Sequence, residues 1–281
     1  MSDASGAPAP LEVHDGEQDD ALALAVARLA PARHVLVALD FDGTLAPFAD
    51  DPMAVRPVAG AAQVLDGVAS GARSTLALVS GRRLADLARL ASPPPGTLLA
   101  GSHGAQVGRL DADGALVTEP DERTEAEEQL LATLTADLEA IVAGAPGAWI
   151  EEKAFARVLH TRRCDPADAE RATRAAVDGP AARPGVHPIV GKAVVELGVR
   201  ATTKADAVAR LRAQAAADAG LPEASIAVVF AGDDTTDETA LASLGAADLG
   251  IKVGDGETAA AIRVPDEAGV VALLRSLVSA L

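Results

Sequence analysis

The chain is nearly devoid of aromatic residues and has one cysteine. Tyrosine is missing from its 281 residues, four phenylalanines and Trp149 supply the aromatic content, and Cys164 has no second cysteine for an internal disulfide. A single thiol suits a reducing compartment, so we expect a cytoplasmic protein. We also expect no secretory signal and no membrane association, because no apolar run reaches the roughly 18 residues of a spanning helix.

Positive charge is scarce as well. The sequence has 24 lysines and arginines against 41 aspartates and glutamates, which gives a net charge of −17. Contacts to nucleic-acid phosphates depend on lysine and arginine, so we expect no nucleic-acid partner. Residues 1–30 start with small residues and proline and continue with acidic ones, and this composition predicts a flexible N-terminal tail.

Strand and helix signals alternate through most of the remaining chain. Apolar strands are predicted over 35–41, 75–79, 97–100, 226–231 and 247–253, with helices between or after them. This alternation is typical of an α/β fold with a Rossmann-like parallel sheet covered by helices on both faces. We predict that residues 31–109 and 198–281 form this core.

The middle of the chain follows a different pattern. Residues 110–197 have the order helix, two strands, helix, two strands, which predicts a small α+β domain inserted into the core.

The stretch that carries most information is the apolar run that ends at Asp40 and Asp42. Residues two apart on an extended chain point the same way, so both carboxylates can share one site at the carboxyl end of the strand. Two close carboxylates repel each other unless a cation or a proton lies between them. Mg²⁺ is the natural partner because it prefers oxygen ligands.

Three further signals follow at strand or helix ends: Ser80-Gly81-Arg82, Lys204, and residues 232–237. All suit phosphate chemistry. A carboxylate can attack phosphorus, a second can transfer a proton, and a hydroxyl with a lysine can hold phosphoryl oxygens. Each signal alone also has a structural explanation, because Asp and Gly form turns, Asp caps helices and most lysines are exposed. Their joint occurrence in this order favours the chemistry.

These motifs resemble those of the haloacid dehalogenase superfamily of phosphatases and, more closely, its trehalose-6-phosphate phosphatases. The matching stretches are LDFDGTLAP over 39–47, VSGR over 79–82, GSHG over 101–104 and GDDTTDE over 232–238. The resemblance extends from about residue 33 to the end. It implies a haloacid dehalogenase fold in which the inserted domain is a substrate-specificity cap.

The resemblance also implies a role for each matched residue. Asp40 would be the nucleophile, Asp42 the general acid and base, and Ser80 and Lys204 the ligands of the phosphoryl group. Mg²⁺ would be bound by Asp40, the backbone carbonyl of Asp42, and Asp233. The remaining core positions would support the metal from outside its ligand set (Asp234, Asp237) or contact substrate (Gly43, Thr44, Arg82, His103).

Five residues of the inserted domain match family elements that contact the sugar: Glu151, Lys153, His160, Arg162 and Glu196. Carboxylates and a lysine can match hydroxyls that both donate and accept hydrogen bonds. An exposed strand face with cross-strand ion pairs is the alternative for the same residues. Two positions depart from the family pattern, since Gln106 replaces a glutamate and Thr161 an aromatic residue.

The sequence therefore predicts an Mg²⁺-dependent phosphatase that hydrolyses trehalose 6-phosphate to trehalose and phosphate through an aspartyl-phosphate, in trehalose biosynthesis. Its substrate would be a small sugar phosphate, and a monomer is one expectation for its oligomeric state. Three alternatives stay open: a phosphatase of another sugar phosphate, such as sucrose or mannosylglycerate phosphate; a phosphomutase; and a non-catalytic partner in a trehalose-making complex.

Overall fold

The computed structural model describes residues 10–13, 18–49, 51–120 and 122–279. The chain divides into two compact units. The core unit is Met1–Glu119 with Thr202–Leu281, and the inserted unit is Pro120–Ala201.

The strands and helices alternate along the core unit and follow a second order in the inserted unit. In chain order they are β1 (Leu11–Glu12), α1 (Gln18–Leu29), β2 (His34–Asp40), α2 (Ala61–Ser70), β3 (Ser74–Val79), α3 (Leu84–Ala91), β4 (Leu98–Gly101), β5 (Gln106–Leu110), β6 (Leu116–Thr118), α4 (Glu125–Val142), β7 (Trp149–Lys153), β8 (Ala156–His160), α5 (Pro166–Asp178), β9 (His187–Gly191), β10 (Val194–Gly198), α6 (Lys204–Ala219), β11 (Ile226–Gly232), α7 (Asp237–Ser243), β12 (Leu249–Val253), β13 (Ile262–Val264) and α8 (Glu267–Val278).

The core unit is built on a nine-stranded sheet in the order β1-β13-β12-β11-β2-β3-β4-β5-β6. The strands from β1 to β4 in this order run parallel, and β5 and β6 are antiparallel additions. Alternate residues of β2 enter different apolar clusters on the two faces, Val37 on one and Leu36 on the other. A strand buried on both faces has to be apolar throughout, which is why β2 is a continuous apolar run. The predicted α/β class is confirmed.

The N-terminal segment is more ordered than predicted. Its helix α1 buries Ala21, Ala25 and Leu29 against the core, and β1 pairs with β13. These three residues are four apart, so they form one apolar stripe on the helix. The prediction of a flexible tail is therefore wrong for residues 10–13 and 18–29. Residues 1–9 and 14–17 lie outside the described residues.

The inserted unit begins later than the predicted boundary at residue 110. The hairpin of β5 and β6 extends the core sheet beyond β4, and its turn is closed by Asp111, whose carboxylate accepts the N–H groups of Asp113 and Ala115. Because β6 pairs with β5 and β5 pairs with β4, residues 111–119 belong to the core unit. At the other end, the division falls after residue 201 rather than 197.

The inserted unit has a four-stranded antiparallel sheet in the order β7-β8-β10-β9. Helix α4 contacts β7 and β8, and α5 contacts β10. Arg157 of β8 donates to Thr135 of α4 at 2.8 Å, so the odd-numbered positions of β8 face the helices. Val158 and His160 therefore point to the opposite face, because side chains alternate along a strand.

Within the described part of the chain, the helices are too short or too polar to cross a lipid bilayer.

Candidate active site

Asp40, Lys204 and Asp237 form a buried ionic group at the carboxyl edge of the parallel sheet. Lys204 Nζ lies 2.6 Å from Asp40 Oδ1 and 2.6 Å from Asp237 Oδ1. Asp40 ends β2, and Lys204 is the first residue of α6, whose start is fixed by a reciprocal capping box between Thr203 and Asp206. The cap thus fixes where α6 begins, and Lys204 lies next to the end of β2 as a result.

The turn from β11 into α7 positions Asp237 and adds the carboxylate of Asp233. Asp237 Oδ2 accepts the backbone N–H groups of Asp233 and Asp234 at 3.1 and 2.9 Å, so its two oxygens divide their contacts between the loop and Lys204. Asp40, Asp233 and Asp237 each offer a carboxylate oxygen, and these oxygens lie within 4.8 Å of one another.

The electrostatics of this cluster favour a bound cation. Burial, together with the charge of Asp237, raises the pKa of Asp40 well above its ordinary value despite Lys204. Burial and Asp237 likewise raise the pKa of Asp233 to about 7. Burial lowers the pKa of Lys204, but the adjacent Asp40 and Asp237 outweigh it and leave that pKa above its ordinary value. Three carboxylates around one lysine suit a hard divalent ion such as Mg²⁺.

Two glycines let these carboxylates approach the backbone. Gly43 has φ +76°, and a Cβ added there would lie 2.2 Å from Asp233 Oδ2. A Cβ at Gly232 would lie 2.3 Å from the carboxyl carbon of Asp237. Any larger residue would push the carboxylates away, so the glycines belong to the construction of the site.

Asp42 lies beside this cluster but is engaged elsewhere. Arg82 donates two hydrogen bonds of 2.6 Å to its carboxylate, one from Nε and one from Nη2. Arg82 also donates to the backbone carbonyl of Pro52 at 2.8 Å. The predicted substrate ligand Arg82 thus holds the predicted general acid in this structure.

The other predicted phosphate and substrate residues lie on neighbouring strand ends. Ser80 follows β3, and its Oγ accepts the N–H of Arg82 at 3.1 Å. Thr44 is buried, and its Oγ1 has no hydrogen-bond partner among the described residues. His103 has φ +53°, donates its N–H to the carbonyl of Ser80 at 3.1 Å, and packs so closely on Gly81 that a Cβ there would lie 2.5 Å from its Nε2.

Comparison with known proteins decides the family. A family model described as trehalose-phosphatase matches residues 38–263. The chain belongs to the trehalose-phosphatase family. The resemblance inferred from the motifs is confirmed, and the chain is an enzyme of the phosphatase class.

Curated relatives and a solved structure agree with this family. The trehalose-6-phosphate phosphatase of Escherichia coli is 32% identical over 237 residues, which cover 81% of each chain. The trehalose-phosphate phosphatase of Mycobacterium marinum is 32% identical over 250 residues, which cover 87% of this chain but 62% of that relative. The C-terminal domain of the C. albicans trehalose-6-phosphate phosphatase shares the fold, with a TM-score of 0.74 and 22% identity over 92% of this chain and 98% of that one.

Two residues of this trehalose-phosphatase core escaped the sequence analysis. Lys252 is a buried lysine of β12 that donates from Nζ to the carbonyl of Asp233, and Glu238 lies 3.6 Å from the same Nζ. A charged residue inside an apolar, fully buried strand was the available signal for Lys252.

Asp234, predicted to support the metal, instead accepts the N–H and hydroxyl of Thr235 within its own loop.

The predicted sugar ligands of the inserted unit lie together on one face of its sheet. Lys153 Nζ and Glu196 Oε2 are 2.6 Å apart, and His160 Nε2 and Glu151 Oε2 are 2.9 Å apart. The register pairs Glu151 with Val158 and Val158 with Glu196, so these groups share the face opposite α4 and α5. The fifth, Arg162, follows β8 and is exposed.

Trp149 also contributes to this face. Its ring stacks on His160 with centroids 4.6 Å apart, while the guanidinium of Arg163 lies 4.8 Å from the indole centroid. The stack orients the imidazole toward Glu151.

Proposed function

We propose that the protein is an Mg²⁺-dependent phosphatase that hydrolyses trehalose 6-phosphate to trehalose and phosphate. The observation that carries the proposal is the buried group in which Lys204 bridges Asp40 and Asp237 beside Asp233. A phosphate monoester brings negative charge to this edge of the sheet, where a lysine, a cation and strand-end amides can receive it.

Asp40 is the proposed nucleophile. Its carboxylate attacks phosphorus, the P–O bond to the sugar breaks, and an aspartyl-phosphate forms. Lys204 neutralises the attacking carboxylate and the phosphoryl oxygens, and the hydroxyl of Ser80 donates to one of those oxygens. Asp40 and Asp233, with the carbonyl of Asp42, would hold Mg²⁺, which would supply further positive charge to the phosphoryl group.

Asp42 is the proposed general acid and base. It gives a proton to the departing sugar oxygen, and in the second step it takes one from the water that attacks the aspartyl-phosphate. Both oxygens of Asp42 contact Arg82, so proton transfer requires that at least one of these contacts is exchanged for the leaving oxygen. Arg82 thus orients the carboxyl group of Asp42 before substrate arrives.

Specificity is proposed to come from the inserted unit. Glu151, Lys153, His160, Arg162 and Glu196 would bind sugar hydroxyls. The pairs Lys153–Glu196 and Glu151–His160 hold four of these side chains in defined orientations. A wrong sugar would leave such groups without partners, which is a strong means of rejection. Binding energy from the sugar would support the rate as well as the affinity.

Three alternatives compete with this proposal. The departures at Gln106 and Thr161 favour testing other sugar phosphates, including those of sucrose and mannosylglycerate. The non-catalytic alternative is disfavoured because Asp40, Asp42 and Lys204 are all present. A phosphomutase would share the first step but transfer the phosphoryl group to a sugar rather than to water.

The decisive experiment is phosphate release by the purified chain from a panel of sugar phosphates, with Mg²⁺ and with a chelator. We expect rapid, Mg²⁺-dependent release from trehalose 6-phosphate, and product masses that correspond to free trehalose. Preference for another sugar would overturn the substrate assignment, and no release from any of them would overturn the catalytic proposal.

A further inference from the structure

Lys252 is a buried lysine outside the groups that carry the proposed chemistry. It lies in β12 opposite Gly232, the last residue of β11, and 4% of its side chain is exposed. A buried ammonium group needs firm partners, because it loses its hydration shell. Lys252 has two: the backbone carbonyl of Asp233, to which Nζ donates, and Glu238, whose Oε1 lies 3.6 Å away.

Glu238 is itself anchored. Its Oε2 accepts the N–H of Ala259 at 3.0 Å and the hydroxyl of Thr258 at 3.2 Å. Its Oε1 is buried without a hydrogen-bond partner among the described residues, so Lys252 is its charge partner at this distance. The pair therefore connects β12 with α7, and the hydrogen bonds of Glu238 extend this connection to the segment before β13.

The contact acts on the peptide groups around Asp233. The N–H of Asp233 donates to Asp237, and its carbonyl accepts from Lys252, so the backbone at this residue is fixed on both sides. The side chain of Asp233 leaves from this fixed backbone to join Asp40 and Asp237. Groups that orient metal ligands from behind commonly affect affinity as much as some ligands do.

We propose that Lys252 is a positioning residue that holds Asp233 in place as a cation ligand. This inference rests on the proposed cation site. If Lys252 acted only through its positive charge, it would repel a divalent ion, and a neutral replacement would strengthen cation binding. Removal of a positioning contact would weaken it. The two accounts therefore differ in sign.

The test uses the full chain as wild type, Lys252→Met, Lys252→Gln and the control Lys192→Met, which removes an exposed lysine of the inserted unit. Thermal unfolding is followed across an MgCl₂ titration, and the Mg²⁺ concentration for half-maximal phosphate release is measured in parallel. We expect both Lys252 variants to need about tenfold more Mg²⁺ for half of the maximal stabilisation and half of the maximal rate.

The rate at saturating Mg²⁺ separates positioning from a general loss of structure. We expect it to stay within roughly threefold of wild type in the Lys252 variants, since the ligands themselves are intact. Lys192→Met should match wild type in all three measurements. If Lys252→Met does not fold, Lys252→Gln carries the test, because its polar amide can donate to Glu238 while its shorter side chain no longer reaches the carbonyl of Asp233 as Lys252 does.

Unchanged or tighter Mg²⁺ binding in the Lys252 variants would overturn the positioning role while leaving the cation site intact. A wild-type protein that is neither stabilised nor activated by Mg²⁺ would overturn the cation site, and with it this inference.

Discussion

The core site and the inserted unit differ in how exposed their charged groups are. The polar face is the face of the inserted unit's sheet that carries Glu151, Lys153, His160 and Glu196. In the core, Asp40 and Lys204 are 164 positions apart, and their side chains are no more than 5% exposed. On the polar face, Glu151 and His160 come from adjacent strands of one sheet and are 35% and 23% exposed. Deep burial makes each charge of the core depend on its fixed partners, whereas the pair of Glu151 and His160 keeps access to water and to new partners.

The difference suits the two tasks proposed for these groups. Phosphoryl transfer needs groups that do not rearrange during the reaction, and partners from separate strands and a capped helix supply that rigidity. Sugar recognition needs groups that exchange partners, and the pairs Lys153–Glu196 and Glu151–His160 can give up each other for hydroxyls. Changes in the core should therefore abolish reaction with every substrate, and changes on the face should discriminate among substrates.

The largest expected effect comes from Asp40→Asn. Loss of the proposed nucleophile should reduce phosphate release by about 10³-fold or more, equally for trehalose 6-phosphate and for p-nitrophenyl phosphate. The melting temperature should not fall, because a neutral amide removes the buried charge and the repulsion by Asp237 that together raise the pKa of Asp40. Steady-state assays with both substrates and thermal unfolding check this prediction. If Asp40→Asn kept more than about a tenth of the wild-type rate, the assignment of Asp40 as nucleophile would be contradicted.

Gly43→Ala tests the close approach of backbone and carboxylate. Its Cβ would lie 2.2 Å from Asp233 Oδ2, so we expect a rate loss of roughly 100-fold as this carboxylate, the proposed cation ligand, moves. Gly96→Ala is the matched control, since Gly96 has φ +84° and nothing within 4 Å of an added Cβ. Both variants should lose about 1 kcal/mol of stability from the positive φ, but only Gly43→Ala should lose activity. Similar kinetics for the two variants would refute the steric explanation.

Glu151→Gln tests recognition by the polar face. We expect KM for trehalose 6-phosphate to rise about tenfold, with little change for p-nitrophenyl phosphate, because that ester has no sugar to bind. Glu152→Gln is the control on the next position of the same strand, where the side chain lies on the opposite face and pairs with Arg157 at 3.6 Å. Equal losses on both substrates would remove the face from substrate recognition.

The smallest expected effect concerns stability of the inserted unit. Hydrogen bonds from Arg200 and the backbone of Thr124 lower the pKa of Glu127 from 4.5 to about 2. A depressed carboxyl pKa stabilises the fold above pH 4.5, and this contribution is lost as the pH falls toward 2. Glu127→Gln should therefore lower the free energy of unfolding by about 1 kcal/mol at pH 7, because solvent screens the partly exposed pair of Glu127 and Arg200. At pH 3 the loss should be smaller.

Urea unfolding at the two pH values measures this difference. Glu128→Gln is the control, because Glu128 is 61% exposed and lies 3.9 Å from Arg123. A destabilisation by Glu127→Gln that stays constant from pH 7 to pH 3 would show that the ion pair is not its cause.

The fold was predictable wherever burial on both faces forced a continuous apolar run. The predicted strand over 226–231 differs from β11 by one residue for this reason. Helix α1 was missed because acidic neighbours and small residues suggested a tail, although Ala21, Ala25 and Leu29 already had helical spacing. The hairpin of β5 and β6 was missed because its strands are short and the sheet pairing that defines them is not local.

The site was predictable in part. Carboxyl ends of parallel strands meet at one edge, so the convergence of Asp40 and Asp233 followed from the motifs and the predicted sheet. The ion pair of Arg82 and Asp42 joins residues 40 positions apart in the sequence, and no local pattern predicts such a contact. Lys252 had a signal, but its partner, a backbone carbonyl, has no signature in a sequence.

The most direct test of the mechanism is the covalent state of Asp40 during turnover. The full chain is mixed with trehalose 6-phosphate and Mg²⁺, quenched in acid within milliseconds, digested and analysed by mass spectrometry. We predict a phosphoryl group on Asp40, more of it in Asp42→Asn and none in Asp40→Asn. Rapid phosphate release with an unmodified Asp40 in both the wild type and Asp42→Asn would contradict the mechanism.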